Sequence, residues 1–191
     1  MMETTYSAKT SESANLLEGY RGVALMTAFT AICAQFAAPL PFTPVPVTLQ
    51  CFAVLLSGLL LGAKRGALAQ AQYLLLGCLG APVFAMAHGG AHTLIGITGG
   101  YLLAYPFAAF LAGWAFERIS EKGCCSGFVA AMTACVPALA VIYISGTAVM
   151  MIVGHLSFSI ALIQGTLGFL LWDAMKAGAA AVVASNRRPQ S

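Results

Sequence analysis

The chain has 191 residues, 60% of them hydrophobic and only 8% charged. A water-soluble domain of that make-up lacks the polar surface it needs, whereas a lipid-facing one does not. The net charge of +3 is small and scattered, which excludes the clustered basic stripe that nucleic acid requires.

Residues 1–19 carry Glu3, Lys9, Glu12 and Glu18 among Ser and Thr, with no apolar run ahead of Tyr20. They read as a mobile cytoplasmic tail without a cleavable signal. Apolar stretches follow at roughly 22–38, 46–62, 66–80, 98–116, 126–153 and 169–185. The pattern predicts an all-α integral membrane protein with six transmembrane helices in one domain, residues 20–186, and a short cytoplasmic tail over 187–191. With both termini cytoplasmic, Lys9, Arg21, Lys64, Arg65, Arg118, Lys122, Arg187 and Arg188 all fall inside, as the positive-inside rule asks. The remaining basic residue, Lys176, lies within the last span. No internal repeat is visible, so an inverted-repeat transporter is not indicated.

Two connections are unusual for surface loops. Residues 39–46 (Pro-Leu-Pro-Phe-Thr-Pro-Val-Pro) are stiff and apolar with few backbone donors, which suits a lid. Residues 80–100 combine many glycines with apolar runs, and irregular backbone at membrane depth is tolerated only where protein buries it or a cavity needs it. The third span is short, about 22 Å for 15 residues, so the loop after it is expected to dip inward. Residues 154–168 read as a short helix and a break before the sixth span.

Asp173 and Lys176 share a face of the last span, three residues apart, and each costs roughly 3 kcal/mol at a bilayer centre. Two readings stand: a self-neutralising pair that packs the bundle, or two groups lining an outward-opening cavity. Gln50 meets either a polar ligand or a neighbouring helix, and Tyr73 is expected as a ring beside the cavity. His88 and His92 have no third ligand nearby, so neither a metal nor a cofactor is expected. Gly99-Gly100-Tyr101 permits close backbone approach, or is a plain turn with an interfacial ring. Ala24, Ala28, Ala31 and Ala34 form a small-residue stripe on the first span that lets another helix approach, inside the chain or beyond it. The six cysteines show no CxxC spacing; most read as apolar fillers, with Cys124 and Cys125 as candidate surface thiols.

Taken in order, several segments resemble the BioY family, the biotin-specific S components of energy-coupling-factor transporters. They are Pro46-Val-Thr-Leu-Gln50; Leu61-Gly62 with Gly66; the run from Gln72 through Gly77, Gly80 and Pro82 to Phe84; Gly89-Gly90; Gly96-Ile-Thr98-Gly99-Gly100-Tyr101; and Asp173-Ala-Met-Lys176. The resemblance spans about residues 22–186. Two departures stand out: Ile97 replaces a usual Pro, and Gly168-Phe-Leu-Leu-Trp172 replaces a usual Pro-Phe-x-x-Gly. The resemblance implies an S-component-like fold, with an outward-facing pocket beneath the loop joining the first two helices. The expected partners are biotin, membrane lipid, a membrane coupling subunit reached through Ala24 and Ala28, and ATP-hydrolysing subunits. The expected place is the cytoplasmic membrane of a bacterium. Asp173 would accept a ureido N–H and Lys176 would donate to the ureido oxygen. Phe42, Phe84, Tyr73 or Tyr101 would wall the rings, and the candidates to meet the carboxylate are backbone N–H groups of the Gly-rich loop (Gly100 included) and His88. No phosphate-binding Gly-x-x-x-x-Gly-Lys-Ser/Thr occurs, so ATP hydrolysis would come from other subunits. The rivals are an S component for riboflavin or thiamine, an intramembrane enzyme using Asp173 with His88 or His155, and an assembly subunit held by small-residue faces.

Overall fold

The computed structural model describes residues 2–123 and 125–185; the expected carboxy-terminal tail, with Arg187 and Arg188, lies outside them, as does Cys124. In chain order the elements are α1 (Met2–Gln35), β1 (Ala37–Leu40), β2 (Thr43–Thr48), α2 (Gln50–Cys78), α3 (Ala91–Ile95), α4 (Gly99–Glu121), α5 (Gly127–Val153), α6 (Phe158–Leu162) and α7 (Leu170–Ser185). The chain is mostly helical. Among the described residues four helical runs are long and apolar enough to cross a membrane: Gln50–Cys78, Gly99–Glu121, Gly127–Val153 and Phe158–Ser185.

The first span ends earlier than its hydropathy suggests, at Gln35, because Pro39 and Pro41 cannot donate to a helix and the chain turns into a β-hairpin. At its other end α1 runs back to Met2, so the segment expected as a mobile tail has a helical backbone. Residues 2–18 contain no Gly or Pro to stop it.

The second and third expected spans form one helical element broken at Gly62. Its φ of 79° and ψ of 175° belong to a region that is essentially glycine-only. The break reverses the chain. Along a straight helix Gly58 and Gly66 would stand about 12 Å apart, yet a methyl on Gly66 would lie 2.8 Å from Gly58 Cα. Gln70 Nε2 donates to Ser57 Oγ at 2.6 Å, and Gln50 Nε2 to Tyr73 Oη at 2.6 Å. Residues 50–61 and 63–78 are therefore antiparallel arms. Glu117 Oε1 accepts from Ala63 N at 3.1 Å, satisfying a free donor where the second arm begins.

Small residues bring the helices together, as membrane packing without a hydrophobic drive between helices requires. Gly58 rests on Ala109, Ala112 and Gly113 of α4. Gly100 of α4 lies against Ser145 and Val149 of α5. On α7, Ala177, Ala180, Ala181 and Ala184 are buried. Helices α2, α4, α5 and α7 close a ring in that order, with α1 outside it on α2. There Thr27 Oγ1 donates to Ala69 O at 2.9 Å, and Gln70 Nε2 to Thr30 Oγ1 at 3.0 Å. Leu25, Phe107, Ile144 and Leu171 point outward, a surface suited to lipid.

The two ends of the ring differ. Gly62, Lys64 and Arg65 stand at one end with Glu117, Arg118 and Lys122, and Arg65 lies against Gly19 of α1. The hairpin, residues 79–98 and the turn through α6 close the other. The loop after the second arm does dip inward: Phe84 is 1% exposed. The short helix expected between 154 and 168 is α6, followed by one π-helical turn, Ile163–Leu167, before α7.

Candidate functional site

A cavity of about 430 Å³ opens at the end away from the basic residues, a size typical of small-molecule sites. Pro44, Val45 and Pro46 of the hairpin roof it. Phe84, His88, His92 and Ile97 come from the inward loop, and Tyr101, Leu102 and Tyr105 from α4. Gln50 and Cys51, Ile142 and Tyr143, and Phe169, Asp173 and Lys176 complete the walls from α2, α5 and the approach to α7. The lining is mainly apolar, with its polar groups concentrated.

The main concentration is on α7. Asp173 sits in its first turn, where the positive end of the helix dipole favours a carboxylate. Three residues on, Lys176 donates from Nζ to Asp173 Oδ1 at 2.7 Å, and Tyr143 Oη donates to Oδ2 at 2.7 Å. Asp173 is 2% exposed and Lys176 9%. Each carboxylate oxygen thus holds one strong bond and keeps lone-pair capacity, while Lys176 keeps two further N–H donors. The two readings of the pair merge here: the charges neutralise each other and also line the cavity.

The other expected residues divide. Gln50 lines the cavity, but its amide is engaged: Nε2 on Tyr73 and Oε1 accepting from Thr48 Oγ1 at 3.0 Å. Phe84 forms wall, its ring edge-to-face with Tyr73 at 5.6 Å between centroids, and Gly77 leaves the room it occupies. Tyr101 lines the cavity and ties its hydroxyl to Gly165 O at 2.8 Å. His88 is an exposed lining residue, one ring nitrogen 2.9 Å from Ala85 O.

Three expectations are corrected. Tyr73 is fully buried behind the wall, where it accepts from Gln50 and donates to Val83 O at 3.0 Å, so it holds lining residues without being one. Phe42 is 53% exposed. The pairing of Leu40 with Thr43 leaves Pro41 and Phe42 as the hairpin turn, and the phenyl ring points toward Gly168 instead of the cavity. Gly100 serves the α4–α5 contact, where a side chain would strike Ser145 O and Val149. Ala24 and Ala28 lie on the exposed face of α1, with Ala34 buried behind.

Sequence reasoning missed Tyr143, Tyr105, Cys51 and Phe169. A tyrosine in the middle of a strongly apolar helix was the available signal for the first two, since a buried hydroxyl needs a partner.

The two departures from the family pattern both fall beside the cavity. Ile97 becomes an apolar part of the wall. Gly168 N bonds Ile163 O at 3.1 Å, Phe169 N bonds Thr166 O at 3.0 Å and Asp173 N bonds Phe169 O at 2.9 Å, carrying the chain into α7 with Asp173 facing inward. Among the described residues no group of three or more His, Cys, Asp or Glu gathers as metal ligands.

The profile of the BioY family matches residues 8–190. The chain belongs to the BioY family. A probable biotin transporter BioY of Pyrococcus horikoshii is 40% identical over 162 residues, covering 85% of this chain and 91% of that protein. The biotin transporter BioY of Thermotoga maritima is 39% identical over 145 residues, 76% of this chain and 82% of its own. Among solved structures, the S-component for biotin from an ECF-type ABC transporter superposes with a TM-score of 0.85 at 27% identity, covering 93% of this chain and 94% of that one. These relatives are transport proteins, and this BioY chain is not an enzyme. Every cavity-lining residue falls inside the BioY match.

Proposed function

We propose that the chain is the biotin-binding subunit of a vitamin uptake system, capturing biotin in the cavity on one side of the membrane and releasing it on the other. The observation that carries this reading is the buried Asp173–Lys176–Tyr143 cluster in an otherwise apolar cavity. Biotin pairs a ureido group, two N–H donors and a carbonyl, with an apolar fused ring. Asp173 accepts a ureido N–H, Lys176 donates to the ureido oxygen, and Phe84 and the Tyr101 ring flank the bicycle. Such a site rejects analogues that leave its buried polar groups unpaired. Gln50 steadies the wall next to the ring. His88 and the backbone at Gly89-Gly90, near the mouth, meet the carboxylate. Lys176 turning back onto Asp173 keeps both charges paired as biotin leaves. No bond is made or broken.

We read the bundle as six membrane segments: α1, the two arms of α2, α4, α5, and α6 with α7. The division is 1–19 as an amino-terminal tail, 20–186 as the membrane domain and 187–191 as a carboxy-terminal tail, with both termini cytoplasmic. Support comes from the clustering of Lys64, Arg65, Arg118 and Lys122 at the end opposite the cavity, which by the positive-inside rule favours that end inside and the cavity outside. The membrane is the cytoplasmic one, and lipid covers the apolar outer faces. The exposed Ala24 and Ala28 form the contact for a membrane coupling subunit, which links the chain to ATP-hydrolysing subunits.

Titration of the purified protein with labelled biotin tests the reading, repeated on Asp173→Asn and Lys176→Ala. The expected result is saturable binding that both substitutions weaken strongly. Unchanged affinity in both variants would remove the site assignment; riboflavin or thiamine binding in place of biotin would replace the substrate.

A further inference from the structure

The cavity-lining polar side chains that are nine-tenths buried can be accounted for one by one. Asp173, Lys176 and Tyr143 hold each other. Gln50 is bonded to Thr48 and to Tyr73, and Tyr101 to Gly165 O. Tyr105 is the exception. It is 4% exposed, it lines the cavity, and among the described residues its hydroxyl has no hydrogen-bond partner. It stands one helical turn beyond Tyr101 on the same face of α4, further from the mouth. The hydroxyl is not sealed among protein atoms but opens on the cavity, so its donor and its acceptor are both available to a molecule bound there.

We propose that the Tyr105 hydroxyl is a ligand contact, accepting the second ureido N–H of biotin; this rests on the biotin reading above. The two N–H bonds of a five-membered cyclic urea flank its carbonyl and diverge, so one carboxylate meets only one of them. With Asp173 on α7 taking the first, the second points to the opposite side of the ring of helices. α4 and α7 are opposite members of that ring, each packed on α2 but not on each other's flank. A tyrosine hydroxyl accepts as well as donates, and Tyr105 completes on α4 what Asp173 begins on α7. Tyr105 thereby sets selectivity for a ring with two free N–H groups.

The test is Tyr105→Phe, which removes only the oxygen, with Tyr101→Phe beside it. Biotin and desthiobiotin, which keeps the cyclic urea without the thioether ring, are titrated into each protein, and thermal unfolding is followed without ligand. In Tyr105→Phe the Kd should rise roughly fivefold to tenfold for both ligands, while the ligand-free Tm stays level or rises. Tyr101→Phe should lower the ligand-free Tm, because its hydroxyl holds Gly165. An unchanged Kd in Tyr105→Phe overturns the contact, as does a lowered ligand-free Tm, which would place the partner within the protein. A loss confined to biotin moves the contact off the urea. Failure of the native protein to bind biotin at all overturns the underlying reading first, and this inference with it.

Discussion

Removing one charge of the Asp173–Lys176 pair and removing both should have opposite consequences for stability. The two side chains are 2% and 9% exposed and 2.7 Å apart. Asp173→Asn leaves the ammonium buried without a countercharge, and Lys176→Met leaves the carboxylate with only the Tyr143 hydroxyl. Breaking a buried pair in this way costs about 3–5 kcal/mol, whereas replacing both charges by neutral groups of similar volume is close to neutral. For a chain of this length, 3–5 kcal/mol corresponds to a fall in Tm of roughly 6–20 °C. Each single variant should therefore unfold well below the native protein, and Asp173→Asn combined with Lys176→Met should recover most of the loss. The assay is thermal unfolding of purified protein in detergent without ligand, analysed as a double-mutant cycle. Biotin binding should be weak in all three variants, so stability and recognition part company in the double variant. If the two single losses simply add, the pair is not coupled and the account of the cavity's polar cluster fails.

Gly77→Ala should lower stability by about 1–3 kcal/mol through overpacking, since the added methyl falls within the Phe84 ring. Because Phe84 lines the cavity, the same variant should bind biotin more weakly by titration; native stability and affinity would show that the ring has room to yield. Leucine at both Ala24 and Ala28 should leave biotin binding in detergent unchanged and reduce uptake by cells carrying the coupling subunits by roughly tenfold, by blocking close helix approach. Undiminished uptake would remove that face as the contact.

The membrane character, the inward loop and the Asp173–Lys176 pair were all legible in the chain. Each is a local property, since the cost of placing a charge or an open backbone in hydrocarbon depends on the few residues around it. The rest was not local. Tyr73 and Tyr105 are both tyrosines in apolar helices, and nothing in either segment tells that one stands behind the wall and the other faces the cavity. Phe42 was visible as part of a stiff proline-rich connection, but strand register decided that it lies at the turn. Gly100 had the character of a close-approach glycine, and the neighbour it admits proved to be α5.

The order of apolar runs, prolines, glycines and charges therefore determined by itself that this is a multi-pass membrane protein with one costly charged pair near the start of its last helix. Only the tertiary structure decided that Gly62 folds α2 back on itself and that Tyr143 joins the pair from another helix. It also decided that Tyr105 confronts the pair from α4. Transfer from water to hydrocarbon sums over neighbours in sequence, whereas a hydrogen bond such as that of Tyr143 to Asp173 depends on ångström distances between residues far apart in the chain.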